Sequence, residues 1–206
     1  AEYAMDTADA CHALGLGTVA VTAGYLHAAP RRDFFARMDA ANIDLKAFSD
    51  DFYVRQTGSH LAPVLDTLRS VHRAADCWLE ITTVVIPGLN GGDAELDAMT
   101  RWIAEQLGSD VPLHFTAFHP AYKLTGTGRT PAATLRRARR MARANGLAHV
   151  YLGNVRDPES GTTACTGCGA VLIERDWHVV TRYALGPDGA CGVCGTRLAG
   201  RFAAES

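Results

Sequence analysis

Apolar residues recur along the chain in two alternating rhythms. Short runs such as "TVAVTAGY" (18–25) are β-branched and apolar and stop at a glycine, as buried strands do. "NIDLKAF" (42–48), "LEITTVVIPG" (79–88), "VPLHFTAFHP" (111–120) and "HVYLGN" (149–154) repeat that style. Between them the spacing widens to the helical period. Leu61, Val64, Leu65, Leu68 and Val71 share one face of a helix over 60–75, and Leu96, Met99, Ile103 and Leu107 share one over 93–107. Thr130 as N-cap, Pro131 at the first position and Gly146 beyond the end predict a third long helix. Strand and helix alternating at roughly 25–40 residues per unit predict an α/β chain built on a parallel sheet or (β/α) barrel.

A complete eight-unit barrel takes about 250 residues. Five strands are visible here, and the pattern changes near residue 157. The chain opens on Ala1, inside the helical pattern Ala4, Ala8, Cys11, Leu14, with no strand ahead of it. The expected fold is therefore an incomplete (β/α) barrel over 1–157 that lacks N-terminal units, followed by a small β domain over 158–206.

That second part holds four of the six cysteines, in "CTGC" and "CGVC": Cys165, Cys168, Cys191 and Cys194. The 22 residues between the clips contain an alternating stretch, "AVLIERDWHVVTRYAL", and a turn, "GPDG". A hairpin carrying one clip to the other is the plan of a zinc ribbon. Four thiolates fit a closed tetrahedral site, and Gly169 and Gly195 let the backbone bend N–H groups toward them. Zinc is the expected metal, with iron compatible with the same sulfur set. A segment this small has little core, so the metal is expected to hold it folded, leaving no open position for substrate. Cys11 and Cys77 stand alone and read as small buried apolar residues.

Composition narrows the function classes. Net charge is −2, with 48% hydrophobic and 20% charged residues, which argues against a surface-wide nucleic-acid footprint. No apolar run reaches the roughly 20 residues of a membrane helix. The first twelve residues lack a signal-peptide pattern, so a cytoplasmic protein is expected and disulfides are not. Arg136 to Arg143 carry five arginines in eight residues, but Leu135, Ala138, Met141 and Ala142 form the inner stripe, so these predict a solvated outer face.

In βα barrels reactive groups gather where strands end. Those positions are polar or glycine-rich here: Thr22 and Gly24, Asp44 and Lys46, Pro87, Gly88 and Asn90, His119, Gly153 and Asn154. Asp44 and Lys46 alternate along one strand, so both can face the mouth while Leu45 faces the helices. The pair can hold a polar ligand or can be an ion pair that orders the core. His119 is open to the same two readings. Of 20 basic residues only Lys46 and Lys123 are lysine, which adds weight to a compact ammonium at 46.

"VTAGY", "IDLKAF", "VVIPGLN", "LHFTAFHPAYK" and "YLGNV", in this order, resemble the radical S-adenosylmethionine (SAM) enzymes related to pyruvate formate-lyase activase. The tail, with its paired CxxC clips around "LIER", is similar to the AmmeMemoRadiSam-system radical SAM enzymes in particular. The resemblance implies SAM bound at the barrel mouth next to a [4Fe–4S] cluster, and a 5′-deoxyadenosyl radical that takes hydrogen from substrate. It implies that Asp44 and Lys46 contact the SAM ribose and carboxylate, that His119 closes the site, that the strand-end backbone at Val85 and Ile86 packs near the adenine, and that Thr22 and Gly24 belong to the same cofactor-binding rim. It also implies a protein or other large substrate, and Memo-like and AMMECR-like partners. Two departures stand out. The CxxxCxxC loop that holds such a cluster is absent from these 206 residues, and Ala23 replaces an amide side chain in "VTAGY". The chain is thus expected to be the C-terminal portion of such an enzyme, unable to cleave SAM alone. A binding module without radical chemistry and a glycyl-radical-enzyme activase are the competing readings.

Overall fold

A computed structural model describes residues 1–74, 76–158 and 160–202. After a first helix, α1 (Glu2–Ala13), five parallel strands follow: β1 (Val19–Thr22), β2 (Ala40–Asp44), β3 (Trp78–Val85), β4 (Leu113–Ala117) and β5 (Val150–Gly153). They stand in the order β1-β2-β3-β4-β5, each beside the strand made just before it. The crossovers are α2 (Ala28–Phe35), a short α3 (Asp50–Phe52) that runs into a π-helical turn (Tyr53–Thr57), α4 (Leu61–Ala74), α5 (Asp93–Leu107) and α6 (Ala132–Ala144). The α/β expectation holds, and the strands are shorter than their apolar runs because the pairing stops where the chain bends into the loops.

The two faces of the sheet differ as the alternation requires. Ile43, Leu45, Ile81, Val85, Leu113, Phe115 and Val150 are fully buried and pack against Leu68 of α4, Leu96, Met99 and Ile103 of α5, and Leu135 and Ala138 of α6. Neighbours on the other face (Asn42, Asp44, Glu80, Thr82, His114, Thr116 and Tyr151) are half-buried and mostly polar. This second face, turned away from the helices, is the inner wall of the sheet. Arg136, Arg137, Arg140 and Arg143 of α6 are exposed, as expected, whereas Arg139 is half-buried; Leu135, Ala138 and Ala142 are buried.

Thr130 departs from expectation. Pro131, not Thr130, is the N-cap residue of α6. Thr130 is buried because its hydroxyl donates to the Val85 carbonyl and accepts from the Phe118 N–H (3.0 Å), tying the loop after β4 to the end of β3. A tertiary partner has displaced the local capping role that the Thr-Pro pair suggests.

The C-terminal unit is a three-stranded antiparallel sheet, β6 (Thr163–Ala164), β7 (Val171–Asp176) and β8 (Val179–Tyr183), with a small core of Cys165, Leu172, Ile173 and Cys191. It lies against the inner wall of the large sheet. The Leu152 N–H donates to the Ser160 carbonyl (3.1 Å), and the Tyr151 and Thr163 hydroxyls are 2.8 Å apart. The Arg175 guanidinium sits 5.9 Å from the Tyr151 ring centre and donates to Thr163 and the Gly161 carbonyl.

Candidate cofactor cleft and metal centre

The last residue of β2 is Asp44, and the chain stays extended for two more residues. Lys46 therefore returns to the face that Asp44 occupies, and its Nζ lies 2.8 Å from Asp44 Oδ2, while Leu45 between them is buried among the helices. Both charged side chains are about one-third exposed, so the pair is open to a ligand as well as to each other. They border a cavity of about 270 Å³ whose other walls are Thr82, Val84 and Ile86 at the C-terminal end of β3, Leu124, and Phe52, Gln56 and Thr57. One end is ionic and the rest largely apolar.

Three supports hold this arrangement. Asn90, fully buried, donates through Nδ2 to the carbonyls of Lys46 (2.6 Å) and Val84 (2.8 Å) and accepts the Ile86 N–H on Oδ1 (2.6 Å). The buried Tyr53 hydroxyl accepts the Lys46 N–H (3.0 Å); burial pushes this phenol up to about 12, so it stays neutral. Thr83 donates to the Leu45 carbonyl (2.7 Å). The backbone of Lys46 is thus fixed from three sides while its ammonium is left facing the cavity.

The remaining predicted residues fall in different places. Ile86 presents its side chain to the cavity, whereas Val85 is buried on the helix side and its carbonyl is taken by Thr130. Thr22 pairs with Ile43 and so shares the helix-side face; its hydroxyl accepts the Gly24 N–H (3.2 Å). Gly24 has φ +66°, and a β-carbon there would come within 2.7 Å of Ile43. His119 is exposed, with Nε2 3.5 Å from the Asn154 carbonyl, away from the Asp44–Lys46 cavity. The wall supplied by Phe52, Gln56 and Thr57 was not legible as a site. "SDDFYVRQTG" is a polar connection with no metal or catalytic spacing, and only the π-helical turn shows its role; such turns recur at functional sites.

The four clip cysteines converge. Their sulfurs all lie within 4.8 Å of one another, with Cys165 to Cys194 at 3.6 Å and Cys168 to Cys191 at 3.8 Å. Sulfurs bound 2.3 Å from a tetrahedral zinc stand about 3.8 Å apart, so the spacing fits a closed site. The Gly167 and Val193 N–H groups each point at a sulfur (3.4 Å), to Cys165 and Cys191. Gly169 (φ +73°) and Gly195 (φ +76°) close the two turns. Hydrogen bonds from Thr196 hold the Cys194 thiol down at about 6. The Ala170 N–H favours the Cys168 thiolate too, but proton sharing with the other three sulfurs pushes Cys168 up to about 12. Four sulfurs this close cannot all ionise without a cation. Cys77 is buried, as expected, and burial pushes its thiol up to about 11; Cys11 is half-buried.

No protein-family model matches the sequence. The chain is 35% identical over 200 residues to the uncharacterized protein MJ0808 of Methanocaldococcus jannaschii, covering 96% of this chain and 58% of that protein. It is 26% identical over 143 residues to the benzylsuccinate synthase activating enzyme of Thauera aromatica, covering 63% of this chain and 43% of that enzyme. The chain thus spans about half the length of these two relatives. Among solved structures, a domain of a pyruvate-formate lyase-activating enzyme from Bacteroides vulgatus superposes with a TM-score of 0.65 at 16% identity, covering 74% of this chain and 91% of that one. SuiB of Streptococcus suis gives 0.59 at 10% identity, over 74% of this chain and 36% of that one. A radical SAM methyltransferase from Sphaerobacter thermophilus gives 0.54 at 19% identity, over 77% of this chain and 46% of that one. The fold is the one these solved structures share.

Proposed function

We propose that the chain is the SAM-orienting and substrate-facing portion of a radical SAM enzyme acting on a protein. The observation that carries this reading is the Asp44–Lys46 pair, held at the strand ends of this fold over a cavity that is ionic at one end and apolar along its walls. An amino acid joined to a nucleoside needs such a site. Lys46 would bind the SAM carboxylate, Asp44 its hydroxyls, and Val84 and Ile86 would shield the ring from water. SAM, when bound beside a reduced iron–sulfur cluster, supplies a hydrogen-abstracting 5′-deoxyadenosyl group.

The residues present do not fit that cluster. It needs three cysteines and an open iron, whereas four of this chain's cysteines form one closed set and Cys11 and Cys77 stand apart. Its ligands would come from outside the 206 residues. The closed set fits zinc, bound by Cys165, Cys168, Cys191 and Cys194 in a structural role. A protein substrate is supported by the two relatives whose names make them activators of other enzymes. The AmmeMemoRadiSam assignment, with Memo-like and AMMECR-like partners, rests on the sequence motifs and the cysteine tail.

The test is anaerobic iron–sulfur reconstitution of a chain extended to include a CxxxCxxC loop, followed by measurement of 5′-deoxyadenosine. The extended chain should release it, and the 206-residue chain should not. Lys46→Ala should weaken SAM binding about tenfold or more, as expected for losing a charge-assisted hydrogen bond. An extended chain with an intact cluster and no 5′-deoxyadenosine would defeat the proposal.

A further inference from the structure

The ribbon does not close completely on the inner wall. Between them lies a cavity of about 510 Å³, bordered by Trp78, Glu80, His114, His149 and Tyr151 on the sheet side and by Arg175 of β7 on the ribbon side. That volume is in the range of pockets that hold small molecules. Trp78 opens β3, His114 and Tyr151 are the second residues of β4 and β5, and His149 precedes β5. The cavity therefore sits at the N-terminal ends of the strands. Asp44 and Lys46 stand at the opposite ends, and their cavity shares no residue with this one.

The wall is polar where two packed units would ordinarily meet on apolar surface. Glu80 Oε2 lies 2.7 Å from His114 Nε2, and Trp78 Nε1 donates to Glu80 Oε1 (3.1 Å). Burial works against ionisation of Glu80, yet the His114 and Trp78 hydrogen bonds and the Arg175 charge hold its carboxyl below the usual carboxylate range. Both carboxylate oxygens are thus engaged, while the His114 and Glu80 side chains keep 28% and 35% of their exposure. A partly buried ion pair contributes little net stability against apolar packing of the same volume, so folding alone does not account for this wall. His149 is a second sign. It is only 3% exposed, and its Nε2 has no hydrogen-bond partner among the described residues, whereas nearly all buried polar atoms have one.

Charge and shape narrow the ligand. Arg175 uses one nitrogen, Nη1, for the Gly161 carbonyl and the Thr163 hydroxyl. Its Nε–Nη2 edge has no hydrogen-bond partner among the described residues, and such an edge is the fork that takes two oxygens of a carboxylate or phosphate. Glu80, already engaged on both oxygens, leaves little for a cation. The flat surfaces are aromatic: the His114 and Tyr151 rings stack at 5.1 Å with 28° between their planes, and the Arg175 guanidinium lies 5.9 Å from the Tyr151 centre.

We propose that this cavity is a second binding site, for a small planar molecule that carries a carboxylate or phosphate. The anionic group meets the unpartnered edge of Arg175, the ring rests beside Tyr151 and Trp78, and a polar atom of the ring serves His149. The site is separate from the cofactor cleft, and it does not rest on the function proposed above.

The experiment titrates the 206-residue chain, purified with its bound metal, and follows amide NMR spectra with the Trp78 indole N–H and the Tyr151 amide as reporters. The probes are nicotinate and phenyl phosphate, each beside a neutral twin, nicotinamide and phenol. At least one anion should shift both reporters saturably and bind about tenfold or more tightly than its twin, as a charge-assisted contact does. Which anion does so separates carboxylate from phosphate. Arg175→Gln should remove that advantage and leave the twins unchanged. Arg175→Lys, which keeps the charge without the fork, should retain only part of it. Metal content and the β6–β7 amide positions report whether the ribbon stays docked; if Arg175→Gln loosens it, Arg175→Lys decides. Four results would overturn the inference: no saturable shift with any probe, anions and twins binding alike, shifts confined to the Asp44–Lys46 cleft, or parental affinity for the anions in both variants.

Discussion

A carboxamide sealed from water must place its donors and its acceptor on protein, and Asn90 does so across two strand ends. Asn90→Ala would leave the Lys46 and Val84 carbonyls and the Ile86 N–H buried without partners. The expected cost is about 3 kcal/mol in denaturant unfolding, given roughly 1–3 kcal/mol for each such group and partial relaxation. His149 makes a second residue-scale prediction. It is buried at the foot of β5, and burial pushes its imidazole below the ordinary 6.5; Arg143 works in the same direction, while Asp110 and Glu80 work against it. The unfolded chain therefore takes up this proton first. The stabilising share of neutral His149 is complete above about 6.5 and is lost as pH falls through the lower folded value. Thermal melts from pH 7 down to about 5 should fall less steeply for His149→Gln than for the parent.

Among the elements, β5 fits closely against β4. A β-carbon at Gly153 would meet Thr116 Cγ2 on β4 at 2.5 Å, and a β-branched threonine has little freedom to turn away. Gly153→Ala should destabilise by about 1–3 kcal/mol, and adding Thr116→Ser, which removes that methyl, should recover most of the loss. Most elements were legible from the chain because their periods are local: Leu61 to Val71 and Leu96 to Leu107 lie where their spacing puts them. The failures are tertiary. The Thr130-Pro131 pair has the local form of a helix start, yet Thr130 is bound to β3, forty-five residues away. The π-helical turn carries no periodic signal at all, so the Phe52–Gln56–Thr57 wall emerged only in three dimensions.

For the whole molecule, the clip spacing was enough to bring four cysteines into one tetrahedral set, and the alternating Asp44–Lys46 pattern was enough to put both side chains on the inner wall. What no spacing announces is that the ribbon packs on that wall, because Tyr151 and Arg175 meet through side chains on separate sheets. Removing the metal should therefore disturb more than the tail. With a strong chelator, or in Cys168→Ser, amide exchange should rise to near-unfolded rates in β6–β8 and rise moderately in β5, while β2 and β3 stay protected. Uniform loss of protection across both sheets would show that the units fold as one.

The strand order has a consequence for synthesis on the ribosome. Each strand of the large sheet pairs with the strand translated just before it, so β1 to β5 can assemble as they emerge, before the ribbon residues have emerged. The Arg201 guanidinium, by contrast, reaches back 125 residues to the Asp76 carbonyl. That clasp can form only after residue 201 has emerged. A nascent chain stalled before Cys194 would carry β1 to β5 paired but with a bare inner wall, and it is this species that a chaperone would meet.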